Sequence, residues 1–248
     1  MRVLALVLAL LGGWELYVNV GGIDEFILPA PSDVAQSLWV DRGLLWDNFA
    51  VTAQEIVLGI VVAAAGALGF AVAIHLSRTL RRATYPLLVA SQAVPIVVIA
   101  PLLVAWLGFD LAPKLAIVGL VCFFPIVVTT LDGLAGVDPD LRKLMRTLDA
   151  SRSQIFWRVE APAALPELLS GAKIAIAFAA IGAVLAEDAG SSEGLGHLIR
   201  QASAQFDTAR GWAAVVLLAV FAIALFGALT LAERRLVPWA HRSQGARP

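Results

Sequence analysis

Long apolar runs alternate with short polar breaks along the whole chain, and the runs are too uniformly apolar to be surface helices or half-buried strands. Crossing the hydrocarbon core of a bilayer takes about 20 such residues. Six stretches come up to that length: Val3–Val20, Ile56–Ile74, Tyr85–Leu107, Pro113–Leu131, Leu168–Ala186 and Trp212–Ala232. The pattern changes between the fourth and fifth, where Asp138–Pro166 is charged and rich in helix boundaries. Asp138 is an N-cap residue and Pro139 suits the first helical position, where its missing N–H costs nothing. Leu141, Leu144, Met145 and Leu148 follow at i, i+3, i+4 and i+7, the spacing of one helix face. Ser151 with Gln154 three residues on has the capping-box pattern of a second helix, and Ile155, Phe156 and Val159 supply its apolar side. Asp149 falls between the two, where the backbone is expected to turn through a left-handed or bridging conformation. Pro162 and Pro166 are expected to end the second helix before the fifth run begins.

Composition assigns the runs to a membrane rather than to a soluble core. Sixty per cent of the 248 residues are hydrophobic and 15% are charged, and mean hydropathy is +0.84, far outside the range of soluble domains. The expected fold class is therefore an all-α polytopic membrane protein of about six transmembrane helices. Residues 1–50 hold the first span and an outer segment, 51–240 the core, and 241–248 a tail, within one domain. The first run, preceded by Arg2, also has the outline of a secretory signal. It lacks a small-x-small cleavage site and continues past Glu15, so it is read as an uncleaved helix.

The net charge of −1 conceals an uneven distribution. With the N-terminus inside, Arg2, Arg78, Arg81, Arg82, Arg142, Lys143, Arg146, Arg152, Arg158, Arg234, Arg235, Arg242 and Arg247 face the cytoplasm. These are thirteen of the eighteen cations. Arg42, Lys114, Arg200 and Arg210 face outward, and Lys173 lies at the inner end of the fifth run, placed to snorkel to the inner surface. Both termini and Asp138–Pro166 are then cytoplasmic, and Gly21–Phe49 and Glu187–Gly211 are outside. Trp39, Trp46, Trp106 and Trp212 fit interfacial anchoring, and Ser32 and Asp33 after Pro31 are expected to cap a short outer helix running to Trp39.

Little in the chain carries chemistry of its own. No GxxxxGK[ST] phosphate loop occurs, so the chain does not hydrolyse ATP by that device. His75, His197 and His241 do not have metal-ligand spacing, Cys122 is the single cysteine, and neither an HExxH motif nor a Ser/His/Asp arrangement is visible. Asp132-Gly133-Leu134-Ala135 lacks the flanking charges of a lipid-phosphotransferase motif and is read as the end of the fourth run. No catalytic residue, metal site, resident cofactor or nucleic-acid partner is expected. Ser91, Gln92, Pro95 and Pro101 in the third run are candidates for a translocation pathway, since polar groups and broken ladders are disfavoured in lipid. The same residues serve equally as interhelical glue and packing kinks. Pro125, after Phe123 and Phe124, has the same two readings, and Gly59, Gly66 and Gly69 are read as close-packing residues. Taken alone, Glu187, Asp188 and Glu193 around the glycine-rich Gly190–His197 read as a flexible acidic connector.

Several segments resemble a known family. RTLDAS at Arg146–Ser151, QIFWRV at Gln154–Val159 and PAALP at Pro162–Pro166 are similar to the EAA loop of permease subunits of binding-protein-dependent ABC importers, with their MetI-like fold. ILPAPSDV (Ile27–Val34), SQAVPIVVIAPLLVAWLGF (Ser91–Phe109), FFPIVV (Phe123–Val128) and GSSEGLGHLI (Gly190–Ile199) resemble the branch carrying sulfonates, taurine, nitrate and thiamine-precursor pyrimidines, over roughly residues 27 to 240. The resemblance implies that the loop is a coupling helix docked on a separate ATPase, which binds the ATP and magnesium. It also implies a solute-binding protein outside, received by Gly190–His197 with Glu187, Asp188 and Glu193, a second permease copy forming a homodimer, and the bacterial inner membrane. Carried over by position, the coupling residues are Lys143, Leu144, Met145, Thr147, Leu148, Asp149, Ala150, Ser151, Phe156 and Pro162. Four depart from the motif: Lys143 replaces its glutamate, Leu144 and Met145 its two alanines, and Asp149 its turn glycine. Aspartate tolerates positive φ better than most residues. Lys143 calls for an acidic position on the matching ATPase.

The leading expectation is thus an ABC import permease. Leu169–Gly196 looks closest to permeases for thiamine-precursor pyrimidines, with sulfonate, taurine, nitrate or bicarbonate as alternatives. A secondary transporter would show inverted repeats and buried charge pairs, neither of which is visible in the sequence. A membrane scaffold whose loop recruits a soluble protein is the third class.

Overall fold

A computed structural model describes residues 2–239. Its helices are α1 (Arg2–Gly21), α2 (Pro31–Val40), α3 (Arg42–Leu76), α4 (Arg78–Ser91), α5 (Ile96–Leu107), α6 (Leu111–Ala135), α7 (Pro139–Thr147), α8 (Arg152–Ile155), α9 (Ala161–Gly190), α10 (Leu195–Ala204) and α11 (Thr208–Leu236), with a π-helical turn at Phe156–Glu160 joining α8 to α9. No strand occurs among the described residues. Among the described residues, five helices are long and apolar enough to cross a membrane, and the spans number six if α4 and α5 count as one.

The core forms around α6, which packs against α3 on one side and α9 on the other. Both neighbours present small residues at intervals of four, Ala63, Ala67 and Ala71 on α3 and Ala175, Ala179 and Ala183 on α9, all buried against Val118, Cys122, Ile126 and Val127 of α6. Helices in lipid gain no hydrophobic advantage from pairing, so close van der Waals approach along such stripes holds them together. Gly59 works in the same way, since a Cβ there would lie 2.4 Å from Val118. The same reading does not hold for Gly69, which has nothing within 4 Å of that position, nor strongly for Gly66, whose nearest neighbour is Phe123 at 3.8 Å. Lys173 of α9 does not snorkel. It pairs with the buried Glu233 of α11 and ties the two helices.

Four boundaries differ from the sequence expectation. The third run, Tyr85–Leu107, is not one helix: α4 and α5 meet at 100°. Pro95 has no N–H to continue the ladder, and Gln92 and Ala93 close short turns onto Val89 and Ala90 instead. The second run starts earlier, at Arg42, giving α3 a length of about 52 Å at 1.5 Å per residue, well beyond the ~30 Å hydrocarbon core. Its surplus packs with α2, α10 and the start of α11 into an end cap built on Val34, Leu45, Leu195, Leu198, Ala213 and Ala214. Pro162 and Pro166 do not end a helix, because the ladder widens to the π form immediately before Pro162, with Ala161 N–H reaching Phe156 O, and helix continues to Gly190. Finally, the N-cap of α2 is Ala30, whose N–H is accepted by Asp33 at 2.9 Å. Ser32 instead donates to Glu15 of α1 through its N–H (3.0 Å) and its hydroxyl (2.8 Å).

Candidate functional site

At one end of the bundle the segment between α6 and α9 forms the expected two-helix hairpin. Asp138 caps α7 by accepting from Asp140 N–H at 2.8 Å. Ser151 and Gln154 close a reciprocal box, Gln154 N–H to Ser151 Oγ at 3.3 Å and Ser151 N–H to Gln154 Oε1 at 2.8 Å. Between them Asp149 holds φ at 54°, and Ala150 N–H reaches back to Met145 O at 3.0 Å, which satisfies a terminal carbonyl of α7. Nothing among the described residues covers the apolar face of α7. Leu141, Leu144 and Leu148 are 48%, 55% and 69% exposed, and Trp157 beside them is 69% exposed. Lys143 lies on the open surface, paired with Asp140 at 2.8 Å, while Thr147 donates to Leu144 O.

The hairpin is fixed to the bundle by a charged junction that no linear pattern marks. Glu160 accepts from Arg142 Nε at 2.7 Å on one oxygen and meets His75 Nε2 at 2.9 Å on the other. Arg142 also donates to Leu134 O at 2.6 Å, so three elements close on one carboxylate. The partners are 18 and 85 residues apart in the chain, and no local pattern marks them. Phe156 does not belong to the exposed surface. It is buried against Leu134 and Ala164, edge-on to Trp157, and so anchors the hairpin from within. Pro162 is half-buried in the wall behind it.

At the opposite end the three acidic candidates separate. Glu187 is fully buried and is no docking residue. Its Oε1 accepts from Thr52 at 2.6 Å and its Oε2 from Gly196 N–H. Leu195 N–H donates to Thr52 Oγ1 and Gly194 N–H to Asn48 Oδ1, both at 2.8 Å, so α3 grips the loop entering α10. The glycine-rich stretch is thus a tight, buried turn rather than a flexible connector. Asp188 and Glu193 remain exposed, with Arg200 3.7 Å from Asp188. Close by, Lys114 of α6 forms a buried ion pair with Glu55 of α3 at 2.5 Å. Lys114 is therefore an interior cation and not an outer-surface one.

A cavity of about 600 Å³ opens on the side of the bundle where the α4–α5 bend meets α6 and α9. Gln92, Pro95, Phe124, Pro125, Thr129 and Phe178 are among its walls. Of the four pathway candidates, Gln92 and Pro95 come together there. Ser91 and Pro101 do not line it, and the Ser91 hydroxyl is spent on Leu88 O at 2.7 Å. Non-helical backbone at membrane depth is tolerated where it lines a cavity, which accounts for a break within an apolar run.

The described residues thus form a polytopic helical bundle with a broken span beside a lateral cavity and an exposed two-helix hairpin at one end. The comparisons with known proteins give the family. Residues 56–238 match the binding-protein-dependent transport system inner membrane component, and the chain belongs to that family. A probable ABC transporter permease protein of Haemophilus influenzae is 36% identical, covering 91% of this chain and 92% of its own length. The formylaminopyrimidine transport permease protein ThiX of Halalkalibacterium halodurans is 33% identical over 91% and 90%, and the riboflavin transport system permease protein RibX of Chloroflexus aurantiacus 35% over 91% and 85%. Among solved structures, an amino acid ABC transporter chain superposes with a TM-score of 0.61 at 16% identity, over 81% of this chain and 97% of that one. The protein is a permease subunit of an ABC importer, a non-catalytic membrane component.

Proposed function

We propose that this permease forms one half of the translocation pathway, with the α7–α8 hairpin in the cytoplasm as the coupling element for a separate ATPase that supplies ATP hydrolysis. The exposed Leu141, Leu144 and Leu148 carry this reading, because a capped, anchored helix that shows its apolar face to solvent is built to be covered. Lys143, Met145, Thr147 and the Asp149–Ser151 turn rim that face. Both termini are then cytoplasmic in a bacterial inner membrane, and the end carrying α2, α10, Asp188 and Glu193 receives the solute-binding protein. The lateral cavity is closed by a second copy of the chain.

The substrate best supported is a flat, uncharged heteroaromatic solute, and within that class a thiamine-precursor pyrimidine. The described walls of the cavity carry no charged side chain, only aromatic, aliphatic and proline surface with the amide of Gln92 and the hydroxyl of Thr129. A sulfonate, nitrate or the zwitterion taurine would lose the hydration of its charged groups there without a countercharge, which is costly. Two relatives named for ring heterocycles, formylaminopyrimidine and riboflavin, agree with such a wall, and the flavin is the second reading.

The test is uptake into proteoliposomes holding this permease, its co-expressed ATPase and the cognate binding protein, with labelled hydroxymethylpyrimidine, riboflavin and taurine side by side. Hydroxymethylpyrimidine should accumulate only with ATP, and Leu144→Asp with Leu148→Asp should cut ATP-dependent uptake at least tenfold. Uptake of taurine alone defeats the substrate assignment, and full uptake by the double variant defeats the coupling assignment.

A further inference from the structure

A second cavity, of about 680 Å³, lies between the hairpin and the junction of α3 with α4. Its walls include Arg78, Arg142, Arg146 and Arg152 but a single carboxylate, Glu160. Both oxygens of that carboxylate are engaged, by Arg142 and His75. Arg78, Arg146 and Arg152 have no carboxylate partner among the described residues and are exposed. The cavity also receives the N-terminal end of α4, whose first-turn N–H groups add positive potential.

The surroundings are those of a membrane interface. Leu76, the last residue of the apolar α3, lines the cavity and is 60% exposed. The helix that follows begins with Arg78, Arg81 and Arg82, suited to the headgroup level, and continues with exposed Leu87 and Val89 toward the break with α5. A cationic cavity with an apolar lip at the end of a span is suited to a phosphodiester that carries acyl chains.

We infer that this cavity holds the headgroup of an anionic phospholipid, clamped between the coupling hairpin and the α3–α4 junction. The inference rests on the proposed orientation only for the leaflet that supplies the lipid. A headgroup seated on Arg146 and Arg152 touches the hairpin itself, so lipid charge would bear directly on how the hairpin is held.

Native mass spectrometry of the full chain, purified in detergent without any ATPase, separates this from the transport proposal. Titration with phosphatidylglycerol, phosphatidylcholine or inorganic phosphate should show retention of phosphatidylglycerol alone. Each arginine removed should weaken retention roughly fivefold, so Arg146→Ala with Arg152→Ala loses roughly twenty-five-fold. Arg146→Lys with Arg152→Lys should keep most of it, and Arg78→Ala gives an independent variant if the double change harms folding. Equal retention of the two lipids overturns the inference, as does unchanged retention in the alanine variants. Displacement of the lipid by millimolar phosphate would show a soluble-anion site instead. Loss of ATPase co-purification in the alanine variants with lipid retention intact would assign the arginines to the ATPase.

Discussion

At Gly194 the backbone sits at φ +105°, and a Cβ there would lie 2.3 Å from the Glu187 carboxyl group. Any side chain therefore meets backbone strain and an immovable buried group together. Gly194→Ala should destabilise the detergent-purified protein by about 2 kcal/mol or more, read as a lower thermal midpoint, while an alanine at Gly69, with nothing near it, should shift the midpoint far less. At this scale the sequence was only half legible. The glycines of Gly190–His197 marked an unusual backbone, but whether Glu187 faces water or the Thr52 hydroxyl depends on α3, 135 residues away in the chain. Lys114 and Glu55 escaped for the same reason. A charge written at the edge of an apolar run reads as a surface charge until its partner is seen.

Among the elements, the α7–α8 hairpin was readable almost residue by residue, because capping and turn formation are local. Asp138, Asp149 and Ser151 each do what their side-chain chemistry favours within three or four residues. With φ at 54°, Asp149→Gly should be tolerated and stabilise the turn by no more than about 1 kcal/mol. Asp149→Val, β-branched at positive φ, should cost about 1–2 kcal/mol and show as faster proteolysis of the 138–166 segment. The α4–α5 break was less legible. Pro95 signalled a defect in the ladder, but a kinked helix and a 100° turn are equally consistent with one proline. The packing of α5 against α6 and α9, with Ala100 and Val104 buried, selects the turn.

For the whole molecule, the three-helix core of α3, α6 and α9 leaves a lateral cavity open, and α5 shows Val97, Val98, Leu102 and Trp106 to the outside. If a second copy closes that side, Gln92→Cys should cross-link to its twin with a short bismaleimide in native membranes, and Val220→Cys on the exposed face of α11 should not. The native Cys122 is buried and leaves a clean background. Monomer alone from Gln92→Cys would count against the proposed closure. By itself the sequence determined the apolar spans, the hairpin and its caps, since hydropathy and capping depend on neighbours within a turn or two. Only the tertiary structure decided where the third span breaks, which acidic residues are interior, how Arg142, Glu160 and His75 lock the hairpin to the bundle, and which arginines gather around one cavity. Those outcomes depend on residues that approach through space from distant parts of the chain, and a linear pattern of polarity does not encode which of them meet.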